Sequence, residues 1–421
     1  MNVVNAEKNK SMDKFLAFLL GIGVSEGITV LFYLSNKPFS FIEVLSPLMF
    51  IYFCVRDGYA LPRFIRSVSI GFKLFFLIIV ASIIPGIIYF MSFSVIQRYM
   101  VGLITLIISL TAAFNAFILN KQRQYIFRGI FIGFILNIVF SLICFVSFQG
   151  GVVISLEEFF NRDSFYTPEY SFRAQGFFLE PSHFIRYVGS VVLLLVSSIR
   201  FKSSIIKYVI VFSTIAVLGL SLSGSVVIVI VGVVLYYFST MQNKRGIRPR
   251  DIVLFLLFVV ALFAFFSKIS EVMYKIMTGA NIIDEENAGR FGAILSVLSQ
   301  WEALLIGCGW NLTANVIESA NLNIPAAFSD IVEMSVETGI IGGLLYVCSV
   351  LVMAWRLWKV RDNYSRALSV SLLMILALQA GTDYAINPCI MLVFGLCFAA
   401  DFNKGQNPRL IAQERHRVND D

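Results

Sequence analysis

The chain has 421 residues, of which 58% are hydrophobic and only 14% charged, a balance that excludes a water-soluble domain of this length. Its formal charge of +7 reads as topology signal and contact with anionic inner-leaflet membrane lipid, with no nucleic-acid partner needed. Six scattered cysteines and two histidines supply no disulfide framework and no metal-ligand spacing, so no metal site is expected.

A transmembrane helix needs about 20 mostly apolar residues. Twelve stretches meet that template: 14–34, 39–55, 69–91, 95–118, 126–148, 181–198, 204–220, 222–239, 251–267, 329–355, 365–381 and 384–400. The seventh and eighth are separated by only a few residues around 221–225, and merging them leaves eleven. The expected fold is therefore all-α, a polytopic integral membrane protein of about 12 (11–12) transmembrane helices. It forms a single transmembrane domain over 1–400, followed by a polar cytoplasmic tail at 401–421. The first apolar run is long enough to stay as a span, so no cleavable signal peptide is expected.

With the N-terminus inside, the inner face collects 25 of the 33 Lys and Arg residues and the outer face 8. That bias favours twelve spans with both termini inside. It also places two long polar stretches, about 149–180 and 268–328, on the outer side. There is no Walker A loop and no glycine-rich strand-to-helix turn, so no cofactor is expected.

The first outer stretch ends in Arg173-Ala174-Gln175-Gly176, then Glu180-Pro181-Ser182-His183. Pro181 suits the first turn of a helix, which puts Glu180 and Ser182 at the N-terminus of the sixth span. Free N–H groups and the helix dipole favour anions there, and Arg173 and Arg186 are placed to bracket a phosphate. The alternative is interfacial anchoring with pairing to Glu169 or Glu180. The second outer stretch carries Gly289-Arg290 and Gly307-Cys308-Gly309. Three carboxylates, Asp330, Glu333 and Glu337, follow at i, i+3 and i+7 at the head of the tenth span. That spacing puts them on one helical face. Carboxylates at membrane depth are costly, so this face should look into a polar cavity rather than at lipid; Glu26 and Glu43 raise the same question.

The ordered set Arg173-x-x-Gly176-x-x-x-Glu180-Pro181-Ser182, Gly289-Arg290, Gly307-x-Gly309 and Val336-Glu337-Thr338-Gly339-Ile340-Ile341-Gly342 resembles the O-antigen polymerase (Wzy) and O-antigen ligase superfamily of bacterial envelope glycosyltransferases. The resemblance implies a GT-C-like helical fold in the bacterial inner membrane with its two long loops in the periplasm. It implies a metal-independent enzyme that polymerises undecaprenyl-pyrophosphate-linked oligosaccharide repeat units, with a polysaccharide chain-length regulator as partner. By motif, Arg173 and Arg290 contact the pyrophosphate, joined by Arg186 and Arg98. Glu180 and Asp330 are the catalytic base candidates, and Gly176, Ser182, His183, Gly289, Glu333 and Glu337 border the substrate cavity. Ligases carry a histidine shortly before the Glu-Thr-Gly element. Its place falls near Phe328, where this chain has none, which favours polymerase over ligase. A flippase or other transporter is a third reading; many transporters contain internal repeats, and no repeat relates the two halves of this chain.

Overall fold

A computed structural model describes residues 2–25, 30–34, 37–90, 93–152, 174, 176–178, 181–198, 204–221, 223, 225–241, 294, 297–320, 329–360, 362–380 and 387–406. These residues are almost wholly helical. In chain order come α1 (Asn2–Gly23), a hairpin of β1 (Val30–Leu34) and β2 (Lys37–Ser40), α2 (Phe41–Arg56), α3 (Ala60–Ser67), α4 (Ile70–Ala81), α5 (Ile83–Phe90) and α6 (Phe93–Ile118). After a 3-10 turn at Leu119–Gln122 follow α7 (Arg123–Gln149), α8 (Pro181–Ser198), α9 (Ser204–Leu220) and α10 (Val226–Met241). The last five are α11 (Trp301–Ile306), α12 (Thr313–Ser319), α13 (Asp330–Trp358), α14 (Asn363–Ala380) and α15 (Pro388–Gln406).

The first expected span is corrected. A single helix over 14–34 does not form: α1 stops at Gly23, and Val30–Leu34 pairs antiparallel with Lys37–Ser40, Leu34 facing Lys37. Val30 is β-branched and Phe32 and Tyr33 are aromatic, types that suit a pleated strand. Pro38 lies only four residues beyond Leu34 and cannot continue a helix. The expected span at 251–267 lies outside the described residues.

Among the described residues, three stretches are long and apolar enough to cross a membrane: Ile70–Ile88, Val95–Gln149 and Asp330–Trp358. A fourth counts if α2 and α3, bent by 114° at Asp57–Tyr59, form one broken span. The Val95–Gln149 stretch has 55 residues. At 1.5 Å per residue it would run about 80 Å, more than twice the ~30 Å of a hydrocarbon core. Its 3-10 turn is also its polar point, carrying Asn120 and Lys121.

The surface is apolar where a soluble protein would be polar. Leu48, Val55, Leu77, Val146, Ile341 and Leu344 are all more than half exposed, an arrangement that suits lipid as solvent. Polar side chains turn inward and join helices. Asn115 Nδ2 on α6 donates to the Ser46 carbonyl of α2 at 2.8 Å, and the Tyr346 hydroxyl on α13 donates to Gln379 Oε1 of α14 at 2.8 Å. Such bonds hold helices together where the hydrophobic effect cannot, because the surroundings are equally apolar.

A stripe at four-residue intervals organises α7: Gly129, Gly133, Asn137 and Ser141, all on one face. The two glycines let α1 approach backbone to backbone around Gly21, the small-xxx-small device of membrane helix pairs. Gly133 and Ser25 are in direct contact. The stripe's polar half serves a different purpose, taken up below.

Glu43 is accounted for by local structure. Its Oε2 accepts from the backbone N–H of Ser40 at 2.8 Å and from the Ser40 hydroxyl at 3.0 Å. It caps α2 by reaching back from the third helical position. The side chain of Glu26 is not among those described.

Candidate functional site

The three carboxylates at the head of α13 meet at one cavity. Asp330, Glu333 and Glu337 line it together with Met334. The opposite wall is α6, through Val101, Gly102, Thr105 and Leu106, and Trp310 and Asn311 close one side. The cavity volume is about 110 Å³. Asp330 is 1% exposed and Glu337 7% exposed, so this is a deep acidic recess beside a long apolar helix.

α13 breaks just beyond the recess. Gly339 has φ 74° and ψ 162°, a backbone region that is essentially restricted to glycine. A helix broken there leaves the carbonyls of Val336 and Glu337 without their donors four residues on. The segment between α11 and α12 supplies replacements: Cys308 N–H donates to Val336 O at 2.9 Å, and Gly309 N–H to Glu337 O at 3.0 Å. The fit is close, since a Cβ on Gly339 would lie 2.9 Å from the Leu305 carbonyl oxygen.

The same segment is fastened to the junction of α4 and α5 and to α6. Trp310 N–H donates to Ser82 Oγ at 3.1 Å, and Asn311 Nδ2 to the Arg98 carbonyl at 3.0 Å. Arg98 Nη1 donates to Asn315 Oδ1 at 3.0 Å and pairs with Glu318 at 3.4 Å. Glu337 is held from α12, its Oε1 accepting from the Thr313 hydroxyl at 3.0 Å. Much of this part of the second polar stretch is thus interior: Cys308 and Leu312 are fully buried and Trp310 is 5% exposed. Burial, and then the nearby Glu337 charge, push the Cys308 thiol up, so it stays protonated and inert.

A second cluster gathers on α7 and α8. Gly176 N–H donates to Ser141 Oγ at 2.8 Å, and Phe177 N–H to Asn137 Oδ1 at 2.9 Å. Ala174 N–H donates to the Leu220 carbonyl at 3.0 Å. Gly176 has φ 59°, and a Cβ there would crowd Asn137 and press on Phe184 at 3.1 Å. The glycine of the Arg173-x-x-Gly176 motif is therefore a seat on α7. Phe177 stacks on Phe140 with centroids 4.4 Å apart. Nearby, Ser25 Oγ and the Tyr187 hydroxyl bond at 2.7 Å, tying α1 to α8. Arg186, next to Tyr187, is buried at 4% exposure, and His183 is half-buried.

Asn137→Leu tests this seat. Asn137 is fully buried, and its loss would strand the Phe177 N–H and two carbonyl contacts. Each unsatisfied buried group costs about 1–3 kcal/mol. The variant should therefore show a clearly lowered apparent Tm in detergent, and a wild-type Tm would show that the seat bears little load.

Of the expected site residues, Asp330, Glu333 and Glu337 are brought together, with Arg98 on the helix that forms the facing wall. Gly176, His183 and Arg186 belong to the α7–α8 cluster and do not line the cavity. Ser182 lies in the first turn of α8. Arg173, Glu180, Gly289 and Arg290 fall outside the described residues. Sequence reasoning missed Gly102 and Thr105, which sit in an apolar stretch without any local signal, and Thr313, whose Asn311-Leu312-Thr313 pattern points to glycosylation rather than to a cavity. It also missed Asn137 and Ser141, which the four-residue stripe on α7 could have revealed. Among the described residues no group of three or more His, Cys, Asp or Glu is arranged to hold a metal ion.

No protein-family model, curated protein or solved structure matches the chain. What the fold and site define is a helical protein of membrane type with a buried acidic cavity, walled by two long apolar helices and a docked polar segment.

Proposed function

We propose that this chain is a polysaccharide polymerase of the O-antigen polymerase type. It joins undecaprenyl-pyrophosphate-linked oligosaccharide repeat units at the periplasmic face of the bacterial inner membrane, in a twelve-span arrangement with both termini inside. The observation that carries the reading is the cavity of Asp330, Glu333 and Glu337, formed where an apolar helix meets the second polar stretch. Carboxylates buried at such a depth default to function, and a carboxylate positioned beside an acceptor hydroxyl can act as its general base.

In this reaction a hydroxyl of the terminal sugar on the incoming unit attacks the anomeric carbon of the growing chain. The new carbon–oxygen bond forms as the bond from that carbon to the phosphate oxygen breaks, and the electron pair leaves with the lipid pyrophosphate. Asp330, which faces the cavity, is assigned the hydroxyl proton, with Glu180 as the other candidate. Arg173 and Arg290 neutralise the charge that builds on the departing pyrophosphate, with Arg186 and Arg98 in support. Ser182, His183 and Gly289 border the path of the substrate. A chain-length regulator is the expected protein partner.

The test is a surface-polysaccharide gel from a host lacking the gene, rescued with wild type, Arg173→Ala or Arg290→Ala. The expected result is core plus a single repeat unit in the deletion strain, with the ladder restored by wild type alone. A full ladder in the deletion strain, or loss of even the single-repeat band, would remove the polymerase reading.

A further inference from the structure

The cavity has a polarity that decides which end of a lipid-linked sugar can enter it. Among the described residues its polar lining is three carboxylates, the Asn311 amide, the Thr105 hydroxyl and the Trp310 indole, and none of these is basic. A pyrophosphate placed there would meet the Asp330 and Glu333 carboxylates in a low-dielectric recess, where like charges repel strongly. A sugar meets the opposite situation. Its hydroxyls donate to carboxylate and amide oxygens, and an aromatic face suits its C–H edges.

Size narrows the choice further. At about 110 Å³ the recess is well below the ~300 Å³ at which pockets start to enclose drug-sized ligands. It takes one ring edge, and the rest of the chain must lie outside. The walls are set to hold that edge in register, since Asn311 is fixed by the Arg98 carbonyl and Glu337 by Thr313.

We infer that this cavity is the subsite for the terminal sugar of the acceptor repeat unit, read through its hydroxyls, and that the lipid pyrophosphate is excluded from it. The inference rests on the polymerase reading and adds to it a separation of the two substrate ends. The anion is handled outside the cavity, and the attacking hydroxyl is delivered within it.

The experiment uses the full chain in nanodiscs. The probe is the host's own repeat-unit oligosaccharide, released from its lipid pyrophosphate by mild acid, and its affinity is followed by saturation-transfer NMR. Wild type should bind it, and inorganic pyrophosphate should not displace it. Thr105→Phe, which fills the cavity, and the isosteric Glu333→Gln should each weaken binding at least tenfold at an unchanged Tm. Unchanged affinity in Glu333→Gln and in any folded Thr105→Phe protein, or competitive displacement by pyrophosphate, would overturn the subsite. A deletion strain that loses its ladder while the variants bind normally sinks the subsite and keeps the polymerase. An intact ladder in that strain removes the polymerase itself.

Discussion

Gly339→Val will cost this protein its acidic cavity. The residue holds φ 74° and ψ 162°, a conformation whose strain for a side-chain-bearing residue is about 1–3 kcal/mol. The added Cβ would also lie 2.9 Å from the Leu305 carbonyl oxygen and 3.2 Å from the Ile306 carbonyl carbon. Neither atom can yield easily, because both end α11, and the segment just after it is bonded to Val336 and Glu337. The chain must either strain or heal the helix, and healing expels Cys308 and Gly309 from the carbonyls they satisfy. The expected result is a loss of more than about 3 kcal/mol, the sum of that strain and of stranded backbone groups. It is read as a large fall in apparent Tm and a gain of maleimide labelling at Cys308. A wild-type Tm with Cys308 still shielded would show that the break has another origin.

Asp330→Asn should stop the chemistry while leaving the fold. The substitution keeps size and shape but removes the ability to take a proton, and a positioned general base contributes roughly 10²- to 10⁴-fold. Polymerisation of purified lipid-linked repeat units should fall by that range, with Tm close to wild type. Glu180→Gln is the companion measurement. A collapse there with an active Asp330→Asn protein would move the proton to the first outer stretch.

Much of the helical frame was readable because its signals are local. Pro181 opens α8 where the missing N–H does no harm, and the spacing of Asp330, Glu333 and Glu337 alone put them on one face. The hairpin at Val30–Ser40 was hidden by hydropathy, which scores an apolar strand and an apolar helix alike. The cavity's other walls were illegible for a different reason. Asn311 meets Arg98 across 213 residues and Trp310 meets Ser82 across 228, and no window along the chain contains both partners. The segment after α11 read as a polar loop because Gly307, Gly309 and Asn311 are turn formers. Its backbone donors and its buried Cys308, Trp310 and Leu312 side chains together hold it inside.

The borrowed donors of α13 have a dynamic consequence. Cys308 and Gly309 lie in irregular chain, yet their amides perform the task that Ile340 and Ile341 would perform in an unbroken helix. Those two protons can reach water only when α13 itself lets go of its carbonyls. An irregular stretch that should open at little cost is thereby raised to the opening free energy of a membrane helix. Helix and segment breathe together, and any motion that widens the acidic recess has to part them both.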